Sequence, residues 1–430
     1  MEWSNLAAMR SLILAVLLIS CFGYGHAQET PPDIDGYVTS VTSTNDFAVD
    51  GTHVVCDAKT HYRTGNGKSS ATIPWSNGPY LGQPLKVFGK KNHKSQTLNA
   101  KKIVLAYPRY TDREGVAVID RVLSADAVQG KQIVVRADGY PIMIDSKTNS
   151  YFTPPLTSLA DIATNVWIEF KGEQRPDGVI VVAQAVFTRN TVAGGEGKLR
   201  SKTEYDPAKV DPQHAQGEVS KLFVGTKAKR IPPYKDAVNQ ARIERIGASL
   251  IPQYQRALPV TDPTKINFRF QLVGIDWKYA FAMPSGVVLV PIDIVDRMQN
   301  DAQLAAILAD AMANSLEKRD YRDQPAMHAI EATEWAADGT GFLIPAFDLM
   351  WLGGSIARTN IERHNQERSA RVSLGLLQDA QYDLSQAPLA WWLLASSKPK
   401  DLTNVIIPEH ARYLYEVLGT TWKAGHMATR

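Results

Sequence analysis

One short segment in the first half of the chain occurs twice, and this duplication limits the folds available to it. Asp50–Thr60 and Asp138–Thr148 share the pattern D-G-x-x-apolar-apolar-x-D-x-K-T. A repeat of this kind indicates two copies of one small domain. In both copies, short runs of alternating apolar and polar residues end at glycine or Asp-Gly turns, which is typical of all-β structure. We predict two small barrels of the OB type, at residues 33–106 and 113–189.

A helix is the clearest element of the second half. Residues 300–319 place apolar side chains at the spacing of a helix with one buried face, at Leu304, Ile307, Leu308, Ala311, Met312 and Leu316. Asn300 followed by Gln303 predicts a capping box, and Lys318 with Arg319 suits the negative end of the helix. Upstream, residues 279–286 read Y-A-F-A-M-P-S-G. This pattern predicts a strand and a turn, and a second strand follows at 287–291.

These segments resemble, in the same order, the HtpX-like and CAAX-prenyl-endopeptidase family of zinc metallopeptidases. The zinc helix of that family reads L-A-x-V-L-A-H-E-x-x-H and follows an N-A-F-A-x-P-G-G strand and turn. Its two histidines bind one zinc ion, and the glutamate activates the metal-bound water. The resemblance covers about 235–415 and implies a zincin-like domain at 235–420. The repeats themselves resemble a β-barrel domain of unknown function that is common in exported bacterial proteins.

The positions that match the zinc-binding groups carry other residues in this chain. Asp310 and Asn314 stand at the two histidines, and Ala311 stands at the general-base position. The third ligand falls on Gln366 in the alignment without a gap, or on Glu367 if the alignment shifts by one residue. The resemblance therefore implies a scaffold that has lost its metal ligands, with no cofactor expected.

The late H-P-x-x-x-R signal of the family matches 407–412, where Ile407 replaces the histidine. We expect the nearby His410 to be a surface residue.

The strand and turn of the family pair with extended substrates. The resemblance thus implies a peptide-binding edge formed by Tyr279, Ala280, Phe281, Pro284, Gly286 and Val288. We predict an exported pseudopeptidase that binds polypeptide or a partner protein of the cell envelope.

Two other functions stay open. An active metal-dependent endopeptidase with displaced ligands would need zinc, and its ligands would come from His328, Glu331, Glu334, Asp338, His364 or Glu367, which are paired at helical spacings. A structural or interaction protein would act through its barrels instead. The fold expected in each case is α+β and multidomain, with two OB-like barrels followed by a mostly helical zincin-like domain.

The N-terminus has the features of a secretory signal peptide at residues 1–27. Arg10 precedes an apolar run that is too short to cross a bilayer, and small residues follow at the cleavage position. Cys21 also fits a lipobox, so a lipoprotein is the alternative to a periplasmic or secreted protein. The other cysteine, Cys56, lies in an apolar run and is expected to be buried.

Composition excludes one class of partner. A formal net charge of +3 for 430 residues is near neutral, and no basic face with interleaved aromatic residues stands out, so we expect no nucleic-acid partner. The apolar segment 341–354 is too short to span a membrane but leaves open peripheral contact with a membrane surface. Residues 190–232 have no periodic apolar pattern and are expected to form a linker.

Overall fold

The structure is a computed structural model of the chain. It describes residues 32–64, 79, 83–92, 94–105, 112–125, 132–175, 178–192, 194–210, 231–275, 279–319, 367–395 and 408–422. Two small β-barrels occupy the first half, and a unit rich in helices follows. The predicted α+β multidomain architecture is confirmed at this level. The predicted signal peptide, Cys21 and the apolar segment 341–354 lie outside the described residues.

The first barrel is closed by five strands around a small apolar core. Its strands are β1 (Ile34–Ser43), β2 (Asp46–Val49), β3 (Thr52–Val55), β4 (His61–Thr64), β5 (Pro84–Asn92) and β6 (Thr97–Leu105). The ring runs β3-β2-β1-β5-β6, and a parallel pairing of β3 with β6 closes it, while β4 adds to β6 from outside. Cys56 is buried in this core, as predicted.

The second barrel repeats the first strand for strand. It contains β7 (Asp112–Ala125), β8 (Gln132–Ala137), β9 (Tyr140–Asp145), β10 (Asn149–Phe152), β11 (Val166–Gln174) and β12 (Ile180–Arg189). Its ring runs β9-β8-β7-β11-β12, and β9 pairs in parallel with β12 to close it. The two strand orders are the same, so the duplicated sequence pattern encodes a duplicated topology.

The Asp-Gly pairs of the repeat form the same turn in both barrels. Asp50 and Gly51 have φ values of 48° and 76°, and Asp138 and Gly139 have values of 55° and 68°. Two successive residues with positive φ define the turn that best matches the twist of a two-residue hairpin, which explains the choice of Asp-Gly. The turns join β2 to β3 and β8 to β9.

The D-x-K-T end of the repeat ties each third strand to the last strand of its barrel. Thr60 Oγ1 donates to the carbonyl of Ala100 at 2.9 Å. In the second barrel, Thr148 Oγ1 donates to the carbonyl of Val182 at 2.8 Å. Both threonines are buried, so these hydrogen bonds form in a protected setting where an unpaired carbonyl would be costly.

The C-terminal unit packs helices against a three-stranded sheet. Its elements are α1 (Gly194–Lys202), α2 (Ala237–Leu250), α3 (Gln253–Ala257), β13 (Arg269–Val273), β14 (Phe281–Ala282), β15 (Val287–Pro291), α4 (Ile292–Arg297), α5 (Asp301–Leu316), α6 (367–379), α7 (Gln386–Ala395) and α8 (Glu409–Val417). Short 3₁₀ turns lie at Leu159–Asp161 and Pro207–Lys209, and a π turn follows α8 at Leu418–Trp422.

Helix α5 is the centre of this unit and is buried on more than one face. The six predicted core positions are all buried, but Ala305, Ala306, Ala309 and Ala313 are buried as well. The expectation of one buried face is therefore wrong. The physical reason is that α2, α7 and the sheet all contact this helix, and small alanine side chains allow that close approach.

The N-terminus of α5 is capped nearly as predicted. The Asn300 side chain accepts a hydrogen bond from the Gln303 amide at 2.9 Å. The Gln303 side chain accepts from the Gln299 amide at 2.8 Å rather than from Asn300 itself, so the reciprocal half of the capping box is shifted by one residue.

Part of the segment expected to be a linker packs on the C-terminal unit. Helix α1 lies within it, and its Glu196 is buried and forms an ion pair with Lys318 at 2.9 Å. Thr203 accepts a hydrogen bond from the Ser285 hydroxyl at 2.9 Å. These contacts come from polar side chains, and for this reason an apolar periodicity did not reveal them.

A fully buried arginine joins the second barrel to the C-terminal unit. Arg136 on β8 donates from Nε to both oxygens of Asp120 at 3.0 and 2.9 Å, and from Nη2 to Asp379 on α6 at 2.6 Å. Gly375 leaves room for this guanidinium, since a Cβ there would lie 3.3 Å from Arg136 Cζ. The barrel and α6 therefore share one ionic layer.

Among the residues that the structure describes, no helix has the length and apolar character needed to cross a membrane.

The two Asp-Gly turns provide a matched test of how tightly the second barrel contacts α6. Both glycines have positive φ, so alanine at either site costs about 1 kcal/mol of backbone strain. A Cβ at Gly139 would also overlap Arg371, whereas a Cβ at Gly51 would lie 3.7 Å from the Trp392 ring. We expect Gly139→Ala to lower the free energy of unfolding by about 2–4 kcal/mol and Gly51→Ala by about 1 kcal/mol, measured by urea denaturation. Equal losses in the two variants would contradict this packing.

Candidate functional site

The predicted peptide-binding edge lies on a sheet whose strand order is β13-β15-β14. β14 is therefore an outer strand, and β15 lies in the centre with a partner on each side. Val288, on β15, is fully buried and is not an edge residue, which corrects that part of the prediction. Tyr279 and Phe281 lie at the β14 side of the sheet, and Gly286 forms the turn between the two strands with φ of 91°.

The turn between β14 and β15 is held from two sides. Met283 accepts a hydrogen bond from Ser315 of α5 at 2.9 Å, and the Ser285 amide donates to Thr203 at 3.2 Å. A side chain at Gly286 would overlap Ile266, so the close approach and the positive φ both require glycine. This turn fixes β14 against α5 and so places the outer strand beside the helix.

Asp310 and Asn314 lie on the least buried stripe of α5. They are one turn apart and both are only partly buried, whereas Ala311 between them is buried. The two positions that the resemblance aligned with histidines therefore open to the same side of α5, and the position that it aligned with the general base carries a methyl group.

His410 is buried at this site, so its prediction as a surface residue is wrong. Its Nε2 lies 3.3 Å from Oδ1 of Asp310. Both atoms are buried, and neither has a hydrogen-bond partner among the residues that the structure describes. The prediction failed because the burial depends on a tertiary contact: α8 turns His410 toward Asp310 on α5, and Asp310 is far away in the sequence.

Aromatic rings connect this pair to the predicted edge. The rings of Trp391 and His410 have centroids 4.1 Å apart, and the rings of Trp391 and Tyr279 have centroids 6.2 Å apart. Tyr279 is 54% exposed. A continuous wall therefore runs from the β14 side of the sheet through Trp391 to His410 and Asp310. No motif in the sequence assigned a role to Trp391, although the paired tryptophans at 391–392 are a visible signal.

The third-ligand position separates into two cases. Gln366, like His328, Glu331, Glu334, Asp338 and His364, lies outside the described residues. Glu367 is described and lies at the start of α6. Burial raises the pKa of Glu416, Arg371 and Tyr37 oppose this effect, and the Glu367 carboxylate adds to it. Among the predicted site residues, Asp310 lies beside His410.

The available groups at the site are an acceptor, an imidazole and an amide. Within the described ranges, no cluster of three or more His, Cys, Asp or Glu side chains is arranged to hold a metal ion. The partly buried side chains of Asp310 and Asn314 can form hydrogen bonds with a bound main chain, whereas Nε2 of His410 is buried. The rings of Trp391 and Tyr279 offer apolar surface next to them.

Comparison with known families concerns the first barrel. Residues 35–104, which span β1 to β6, match a family described as a domain of unknown function (DUF5666). This finding confirms the resemblance of the first repeat to such a domain, and the second repeat shares its strand order. No curated protein matches the chain.

The carboxyl group of Glu416 gives a prediction about pH. Burial raises its pKa above the ordinary value for a glutamate, so its contribution to stability is present below about pH 4 and is lost as the pH rises through the folded-state pKa. Glu416→Gln, which imitates the protonated acid, should match the wild type near pH 4 and become the more stable protein toward pH 7. Urea denaturation of both proteins across this range measures the difference, and a difference that does not change with pH would contradict the prediction.

Proposed function

We propose that the C-terminal unit is a pseudopeptidase that binds polypeptide in an extended conformation without cutting it. The observation that carries this proposal is the continuous wall formed by Tyr279, Trp391, His410 and Asp310 beside the outer strand β14. It connects the predicted peptide-binding edge to the positions that match the zinc ligands. The same family resemblance assigned both parts of the sequence to one site, and Trp391 links them in the structure.

The residue types at this site argue against hydrolysis. Peptide hydrolysis by a zincin needs a Lewis acid and a base that takes a proton from water. Ala311, at the base position, has no group that accepts a proton. Oδ1 of Asp310 lies 3.3 Å from Nε2 of His410, so this carboxylate oxygen faces a neighbouring side chain. These residues are suited to hold a substrate and not to activate water.

The geometry favours an extended polypeptide as the ligand. An outer strand binds such a chain through main-chain hydrogen bonds, and neighbouring pockets then select alternate side chains. The exposed ring of Tyr279 and the half-buried ring of Trp391 offer apolar contacts for these side chains. The signal-peptide pattern supports a role outside the cytoplasm, so we propose unfolded or partner proteins of the cell envelope as the ligands.

The strand order supports the assignment of both barrels to the OB type. In each, the third strand pairs in parallel with the last strand and closes a five-stranded ring. The alternative function, in which the barrels act as the interaction modules, draws on this fold. Fold alone does not name a ligand for them.

Binding of an unfolded polypeptide tests the main proposal. We expect the full chain to bind fluorescently labelled β-casein, and Tyr279→Ala and Trp391→Ala each to weaken binding about tenfold in fluorescence anisotropy, because aromatic anchors supply about 1–2 kcal/mol. Tyr151→Ala is the matched control, since Tyr151 is 50% exposed but lies on the second barrel. Unchanged affinity in both site variants, with their melting temperatures intact, would rule out binding at this site.

Restoring the family's metal-binding residues tests the alignment. We expect the combined substitution Asp310→His, Ala311→Glu, Asn314→His and Gln366→Glu to bind about one zinc ion per chain, because it rebuilds the two histidines, the base and the third ligand. Elemental analysis after dialysis measures this. The control carries only Ala311→Glu and Gln366→Glu and should retain far less zinc. A folded fourfold variant that holds no more zinc than this control would show that the alignment is wrong.

A further inference from the structure

The Asp-Gly turns of the two barrels both contact the C-terminal unit, and both meet an arginine there. Asp50 Oδ2 of the first barrel lies 2.9 Å from Nη2 of Arg412 on α8. Asp138 Oδ2 of the second barrel lies 2.6 Å from Nε of Arg368 on α6. The two aspartates occupy the same position in the same turn, although the two arginines come from different helices.

The glycine of each turn allows the helix to come close. Gly139 lies against the main chain of Arg371, and a Cβ there would overlap it. Gly51 lies against the Trp392 ring at the end of α7. A turn with a carboxylate followed by a residue without a side chain therefore presents a charge and a flat surface together. Such a surface fits a helical partner in which an arginine reaches the carboxylate while exposed main chain or a large aromatic ring packs against the glycine.

Both aspartate carboxylates are largely buried, so their stability depends on the contacts that they make. Asp138 is only 5% exposed, and the side chain of Asp50 is largely buried against α8. A buried carboxylate is costly unless a cation and hydrogen bonds accompany it. Asp50 has both, since its Oδ1 also accepts a hydrogen bond from the Tyr37 amide at 3.1 Å. The turn of the first barrel thus holds the Asp50 carboxylate in position for the arginine.

We infer that the Asp-Gly turn is the docking site of this type of barrel, and that its partner is an arginine-bearing helix, supplied here by the C-terminal unit of the same chain. The first barrel docks on α8 and the second on α6. Helix α8 is also linked to the second barrel, because Arg371 donates to the Tyr413 hydroxyl and lies 3.7 Å above the Tyr140 ring. This inference does not depend on the ligand of the proposed peptide-binding site.

A double-mutant cycle on the full chain tests the docking of the first barrel. Asp50→Asn keeps an acceptor for the Tyr37 amide and tolerates positive φ, and Arg412→Gln leaves the turn itself unchanged. We expect each variant to speed amide hydrogen exchange in Glu409–Val417 about tenfold, and the double variant to be no faster than the faster single variant, because the two changes remove one interaction.

The control for this cycle lies in the same hairpin. Asp46 pairs with His53 at 2.6 Å on the exposed side of the first barrel, so Asp46→Asn should leave exchange in α8 unchanged. Unchanged exchange in α8 for both Asp50→Asn and Arg412→Gln would overturn the inference. So would fully additive effects, or a rise confined to β2 and β3, because either would place the role of Asp50 inside the barrel.

Discussion

The assembly of this protein depends on a buried layer of arginines and carboxylates between the second barrel and the C-terminal unit. Arg136 has no exposed surface, and its guanidinium contacts Asp120 within the barrel and Asp379 on α6. Arg121 reaches the same Asp379 carboxylate at 3.1 Å. Removing one member would leave a buried charge without its partner, which costs about 3–5 kcal/mol. Such a layer favours one orientation of the barrel relative to the helices. Its charged groups must meet specific partners, whereas apolar contacts alone allow several orientations.

Helix α8 connects the barrels to the candidate site. One side carries Arg412 to the turn of the first barrel, and another carries His410 to Asp310 on α5. Because α8 is a single rigid element of two to three turns, what fixes one side also fixes the other. The barrels thus hold in place the helix that supplies His410 to the proposed binding site. This coupling gives a physical reason for joining barrels of this type to a helical unit in one chain.

The features that the sequence predicted well are those that local pattern determines. The turns at Asp50 and Asp138 follow from the demand of positive φ, which few residues other than glycine, asparagine and aspartate meet. The features that the sequence did not predict depend on contacts between distant segments. His410 was expected at the surface because nothing near it in sequence indicates Asp310, and the burial of Glu196 follows from Lys318, which lies far along the chain. Strand order, which decides where an edge lies, is likewise absent from any local pattern.

Mass spectrometry of an unfolded polypeptide incubated with the full chain shows whether the polypeptide is held intact or cleaved. Hydrogen exchange in the same mixture reports where the polypeptide binds. We predict that the polypeptide stays intact while exchange slows at residues 279–282, on the β14 side of the sheet. Fragments whose formation stops when a chelator is added would contradict it, because they would show metal-dependent cleavage.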